Sequence, residues 1–216
     1  MSAQIYTFKI TYENCDNRIW RIVSVSSNYT FADLGYLVLA TFETMGKHLF
    51  EMTLRNIFFF LDEDDLKGLA YDENTVYSLM RLYKIGKRRF ALKIGDVIKM
   101  TYDFGCCQNF NIELLRISDL LKGSGPAYPK IIDGAGRGII EGINAAKLLK
   151  IIKKIDESGH SGIYYSTFKT FKANNIPEWD YRDYSVKEDN ALLRGRIYGI
   201  REKYENCGDL SGGGNA

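Results

Sequence analysis

The sequence predicts an α+β fold built on an antiparallel sheet, and three patterns carry that expectation. Residues 98–104 and 110–115 both alternate apolar and polar side chains and are joined by a short turn. Ile98, Met100, Tyr102 and Phe104 share one face against Lys99, Thr101 and Asp103, and Phe110, Ile112 and Leu114 return on an apolar face. An earlier pair of alternating segments, 6–12 and 19–25, flanks the turn-rich Glu13-Asn14-Cys15-Asp16-Asn17. A helical repeat of Phe31, Leu34, Val38, Phe42 and Met45 follows.

Bulk properties bound the rest. The 216 residues fit one large domain, or one domain with an appended helical part. A hydrophobic share of 45% and an aromatic share of 13% supply a sizeable core, while 26% charged residues and three prolines argue against disorder over most of the length. A net charge of +2, from 29 basic and 27 acidic residues, gives no whole-chain field for nucleic acid or an anionic membrane. Met1-Ser2-Ala3-Gln4-Ile5-Tyr6 lacks the basic and apolar regions of a signal peptide, and the longest apolar run, Ile57-Phe58-Phe59-Phe60-Leu61, is strand length, so a cytoplasmic protein without a membrane partner is expected. Cys15, Cys106, Cys107 and Cys207 are too few for a disulfide scaffold and read as free thiols.

Each element follows from local signals. Thr30 is an N-cap with Asp33 three residues on, and Gly46 reads as the helix stop. Residues 48–54 alternate as a third strand, which the Phe-rich run extends or follows with a fourth. Asp62-Glu63-Asp64-Asp65 is an acidic loop without the glycine and terminal glutamate of a calcium loop. Val76, Leu79, Met80 and Tyr83 suggest a short helix. Gly123-Ser124-Gly125-Pro126 breaks the chain, giving a sheet-bearing core over 1–125, a helical part over 126–207 packed on the same domain, and a frayed tail over 208–216. Helices are predicted over 139–155, near 165–173, and through Val186, Leu193, Ile197, Ile200 and Tyr204. Trp20 reads as core with Arg21 as a snorkelling or cross-strand charge, and Trp179 as a packing anchor.

Candidate chemistry is sparse. Gly134-Ala135-Gly136-Arg137-Gly138 precedes a predicted helix but matches neither a dinucleotide fingerprint nor a P-loop, so a flexible connection is expected there. His48, Asp103, Cys106 and Cys107 form a nucleophilic or metal-binding set if strands 48–54 and 98–104 are neighbours; otherwise the two cysteines are buried and inert. Arg81, Lys84, Lys87, Arg88, Arg89 and Lys93 form a basic stretch without a recognised nucleic-acid motif.

Trp20-Arg21, His48-Leu49-Phe50-Glu51-Met52, Tyr102-Asp103-Phe104-Gly105 and Tyr128-Pro129 together resemble motifs of the plasmid pRi open-reading-frame-three-like family, often labelled TnpR resolvase-like, over about residues 4–155. The resemblance implies a curved antiparallel sheet, a roll, wrapped around a helix, and no established activity; the C-terminal helices read from the apolar repeats are additional to it. It also implies a polar cluster of which this chain keeps His48, Asp103 and Glu141. Phe50 stands where the family has a second histidine, Cys106 and Phe110 replace an aspartate and a histidine, and Gly142 replaces an aspartate. The candidate functional cluster is therefore His48, Asp103, Cys106, Cys107 and Glu141. The leading expectation is a non-enzymatic binding or adaptor domain of a bacterial or mobile-element protein, with a protein partner and no cofactor. The alternatives are a metal- or thiol-dependent enzyme using the His48/Asp103/Cys106/Cys107 region, and nucleic-acid binding through the stretch from Arg81 to Lys93.

Overall fold

Alternating sequence becomes strand, and the 3–4 repeat becomes helix, through most of the chain. The structure, a computed structural model, describes residues 4–13, 15, 18–61, 76–81, 83–120, 129–159 and 179–206. In chain order the elements are β1 (Gln4–Tyr12), β2 (Trp20–Ser26), α1 (Phe31–Thr41), β3 (Phe50–Leu54), β4 (Ile57–Phe60), β5 (Val76–Ser78), β6 (Val97–Tyr102), β7 (Gln108–Asp119), β8 (Lys130–Ala135), α2 (Ala145–Ser158) and α3 (Val186–Glu205).

All of these strands join one sheet in the order β5-β4-β3-β6-β7-β1-β2-β8. Pairing is antiparallel except between β4 and β5. The predicted hairpin forms its centre, with Ile98 opposite Ile112, Met100 opposite Phe110 and Tyr102 opposite Gln108. The inward side chains of these strands are buried, as strict period-two register requires of a sheet with one covered face.

The helix α1 covers that face. Its capping box is complete: Asp33 N donates to Thr30 Oγ1 and Thr30 N to Asp33 Oδ2, each at 3.0 Å. Gly35 lets the helix approach β3, because a Cβ there would lie 2.4 Å from the Phe50 ring. Residues on every side of α1 are buried, since α3 packs over its other face, with Tyr204 stacked on Tyr36 at 5.5 Å between ring centroids. The sheet, α1 and α3 thus make three layers around one core.

Several local expectations are corrected. The first helix stops at Thr41 rather than near Gly46, because Glu43 takes a left-handed backbone (φ 56°). Residues 76–78 form a strand, not a helix, paired parallel to β4 with Tyr77 in the core. The helix predicted over 139–155 begins six residues later, after Gly142 (φ 72°) and the N-cap Asn144. The glycine-rich stretch is not a flexible connection: Gly134 and Ala135 pair with Arg21 and Trp20 at the sheet edge, and a Cβ on Gly136 (φ 75°) would meet the Arg18 carbonyl at 2.3 Å. The acidic loop at 62–65 and the helix expected near 165–173 lie outside the described residues. The α3 helix and the anchoring of Trp179, whose Nε1 donates to the Gly138 carbonyl at 3.0 Å, are as expected.

The largest reversal is at β2. Trp20 is only half-buried, whereas Arg21 has no exposed surface. Its Nη1 donates to the carbonyls of Trp20, Ala135 and Gly136 at 2.8–2.9 Å, and Nη2 to Thr41 at 3.1 Å. The guanidinium lies 3.7 Å from the centroid of the Tyr184 ring, with Nε 3.5 Å from Asp189 Oδ2. One side chain therefore ties β2, the end of β8, the end of α1 and the start of α3. Burial pushes Asp189 up from its ordinary value, against the pull of Arg21 and Arg196. Replacing Arg21 by leucine strands those carbonyls and leaves Asp189 facing an apolar side chain, so we expect a loss of about 3–5 kcal/mol in urea unfolding. The Thr30→Ala change, which removes only the helix cap, is expected to cost about 1 kcal/mol in the same measurement.

Candidate metal centre

The register between β3 and β6 builds one end of the site. Phe50 lies opposite Tyr102, and one step further Asp103 N donates to the Leu49 carbonyl at 3.2 Å. His48 and Asp103 therefore leave the sheet side by side, which is the neighbour relation that the sequence left open. Asp103 then opens the turn to β7 in a left-handed conformation (φ 53°), which short polar side chains tolerate better than most. The amides of Cys106 and Cys107 close the turn onto the Asp103 carbonyl at 3.0 and 2.7 Å. Cys106 N also lies 3.3 Å from Asp103 Oδ1, so that oxygen is occupied and Oδ2 faces His48.

Glu141 arrives from the opposite direction, on the segment between β8 and α2. That segment is pinned by Ile139 N to the Phe42 carbonyl at 2.9 Å and by Gln108 Nε2 to the Ile143 carbonyl at 2.8 Å. Glu141 Oε1 accepts from Met45 N at 2.6 Å and from the Tyr102 hydroxyl at 2.9 Å. The Tyr102 oxygen in turn accepts from Lys47 N at 3.2 Å, and the Tyr204 hydroxyl donates to the His48 carbonyl. Burial first, and the Glu141 carboxylate next, push the Tyr102 phenol far above its ordinary value, so it stays a donor.

The outcome is convergence. His48 Nε2 lies 3.7 Å from Asp103 Oδ2 and 3.8 Å from Glu141 Oε2, and the three donor atoms all fall within 4.8 Å of one another. Donors around a tetrahedral ion with bonds of ~2.1 Å sit roughly 3.4 Å apart, so the two distances from His48 already come within a few tenths of an ångström of that spacing, and the two carboxylate oxygens would close on each other around an ion. Asp103 and Glu141 are buried, whereas the His48 side chain is 46% exposed, which leaves the site open on its histidine side. One imidazole and two carboxylates suit zinc or another borderline divalent ion, with further coordination positions left for water.

Neither cysteine belongs to this group of three donors. Cys106 is half-buried, and burial together with Asp103 pushes its thiol up. Cys107 is exposed, with Sγ 3.2 Å from the Phe104 carbonyl, so the expectation of two buried thiols is corrected. Arg81, Lys84, Lys87, Arg88, Arg89 and Lys93 are all exposed on the segment between β5 and β6, which the buried Ile85 and Phe90 anchor. Arg89 covers the Tyr77 ring at 4.5 Å. Sequence reasoning missed the supporting groups Met45, Lys47, Tyr102 and Tyr204. Only Tyr102 carried a signal, since a tyrosine on a core face needs a partner for its hydroxyl.

No curated protein matches the chain. Among solved structures, the crystal structure of a protein of unknown function from Methanosarcina mazei Go1 matches with a TM-score of 0.60 and 20% identity, covering 74% of this chain and 85% of that one. That likeness is one of fold. The family described as plasmid pRiA4b ORF-3-like protein matches residues 4–184, which include His48, Asp103 and Glu141. The chain belongs to the plasmid pRiA4b ORF-3-like family, which is the resemblance its strand motifs carry.

Proposed function

We propose that the protein binds a divalent metal ion through His48 Nε2, Asp103 Oδ2 and Glu141 Oε2, and that it works as a binding module rather than by thiol chemistry. One observation carries the reading. Each buried carboxylate has one oxygen held by a backbone amide, while its second oxygen is turned toward the same histidine nitrogen. Two carboxylates side by side in a poorly solvated place repel each other, and a divalent ion converts that cost into binding energy. Backbone amides hold each carboxylate by its other oxygen before the ion arrives, which limits the ordering cost of binding. The ion would stiffen the 43–48 segment and the Asp103 turn, the surface on which a protein partner would read the loaded state.

Titration of metal-free protein with Zn²⁺ and Mn²⁺ in a calorimeter tests this. We expect about one ion per chain, and an affinity lowered about 10–100-fold or more in Glu141→Gln and His48→Ala. Uptake that is far below one per chain, or that is the same in both variants, would overturn the proposal. Glu141→Gln keeps an oxygen for Met45 N and Tyr102, and it removes one of two clustered negative charges. Its thermal midpoint is therefore expected to equal or exceed that of the wild type without metal and to fall below it with metal present.

Catalysis by Cys106 is the weaker reading, because a nucleophilic cysteine needs a lowered thiol and this one is raised. In a Cys107→Ser background, alkylation of Cys106 followed by peptide mass spectrometry should run slower than that of free cysteine near neutral pH. Its rate should climb along a profile displaced to higher pH.

A further inference from the structure

Away from the metal centre, a cleft of about 400 Å³ opens between the end of α1 and one face of α3. From α3 it is lined by Arg196, Gly199, Ile200 and Lys203, whose i, i+3, i+4, i+7 spacing puts them on one stripe of the helix. Glu43 and Thr44 line it from the other side. We propose that this cleft binds a small organic oxyanion, a short-chain carboxylate or a phosphate monoester, with its charged head on Lys203 and Arg196 and its apolar part against Ile200.

The charge arrangement favours an anion. Glu43 is already engaged, with Oε2 3.1 Å from Arg137 Nε and Oε1 3.8 Å from Arg196 Nη2. Arg196 is shared between Glu43 and Asp189, the latter at 2.5 Å from Nη1. Lys203 differs: its ammonium donates to the Met45 carbonyl and has no carboxylate within 4.0 Å among the described residues. A positive charge answered only by a neutral carbonyl at the wall of a cleft is a place for an anion, which adds a charge-assisted hydrogen bond without breaking an ion pair. The Thr44 hydroxyl supplies a second sign. Thr44 is nine-tenths buried, and its Oγ1, enclosed at the wall of the cleft, has no hydrogen-bond partner among the described residues, so a small rotation of this side chain would be needed to present the hydroxyl to a bound acceptor.

Gly199 keeps the cleft open. It lies well inside a 20-residue helix, where glycine is unfavourable, and a Cβ built on it meets nothing within 4 Å. Close packing therefore does not require a glycine at this position. The missing side chain is what leaves room above Ile200 and between the two cations.

Nuclear magnetic resonance titration of the full chain with butyrate, with inorganic phosphate and with chloride at matched ionic strength tests the proposal. Gly199→Leu would fill the cleft while improving helix propensity, so its thermal midpoint should hold or rise. Lys203→Met keeps the length of the side chain and removes the charge. We expect saturable shifts at residues of the cleft with butyrate or with phosphate, but none with chloride. Whichever of the two saturates identifies the head group as carboxylate or phosphate. Lys203→Met should weaken that binding about tenfold or more, and Gly199→Leu should abolish it. Absence of saturation with both probes, equal shifts with chloride, or wild-type affinity in a folded Gly199→Leu protein would overturn the proposal. None of these outcomes depends on whether metal binds at His48.

Discussion

A buried guanidinium holds the architecture together. Arg21 sits where β2, the end of β8, the end of α1 and the start of α3 meet, and its donors reach four backbone carbonyls drawn from these elements. A charge in the interior is costly unless paired and hydrogen-bonded, so the surrounding elements have little freedom to move apart. The aromatic faces of Tyr184 and Phe42 complete the enclosure. Because Thr41 is one of the four acceptors, Arg21 also fixes where α1 ends. The position of the 43–48 segment, and with it of Met45 and His48, follows from that end.

The candidate metal centre inherits this precision. Its three donors come from three separate stretches: the lead into β3, the turn after β6, and the crossing between β8 and α2. Strand register aligns the first two, while Gln108, Phe42 and Trp179 hold the third in place through its backbone. Neither carboxylate relies on a flexible partner alone for its aim, since a backbone amide orients each of them. A site supported by backbone is pre-organised, and pre-organisation suits binding in particular.

The same 43–48 segment also borders the cleft on α3, through Glu43 and Thr44, and is tied to α3 by Lys203 and Tyr204. The two candidate sites therefore flank one short connection rather than lying at unrelated places on the surface.

The sequence alone determined those features whose cause is local. Period-two alternation specified β1, β2, β3, β6 and β7, and the Thr30–Asp33 pair specified the start of α1, because pleat and cap are set within a few residues. The family motifs singled out His48, Asp103 and Glu141 without showing how they meet. Tertiary structure decided the rest. A strand of three residues at 76–78 exists only because β4 is there to pair with it, and the glycine-rich stretch is sheet edge only because β2 accepts it. Burial of Arg21 in place of Trp20 depends on carbonyls more than a hundred residues away in the chain, at Ala135 and Gly136. Convergence of one imidazole and two carboxylates is likewise a property of strand order and register, which no single window of sequence contains.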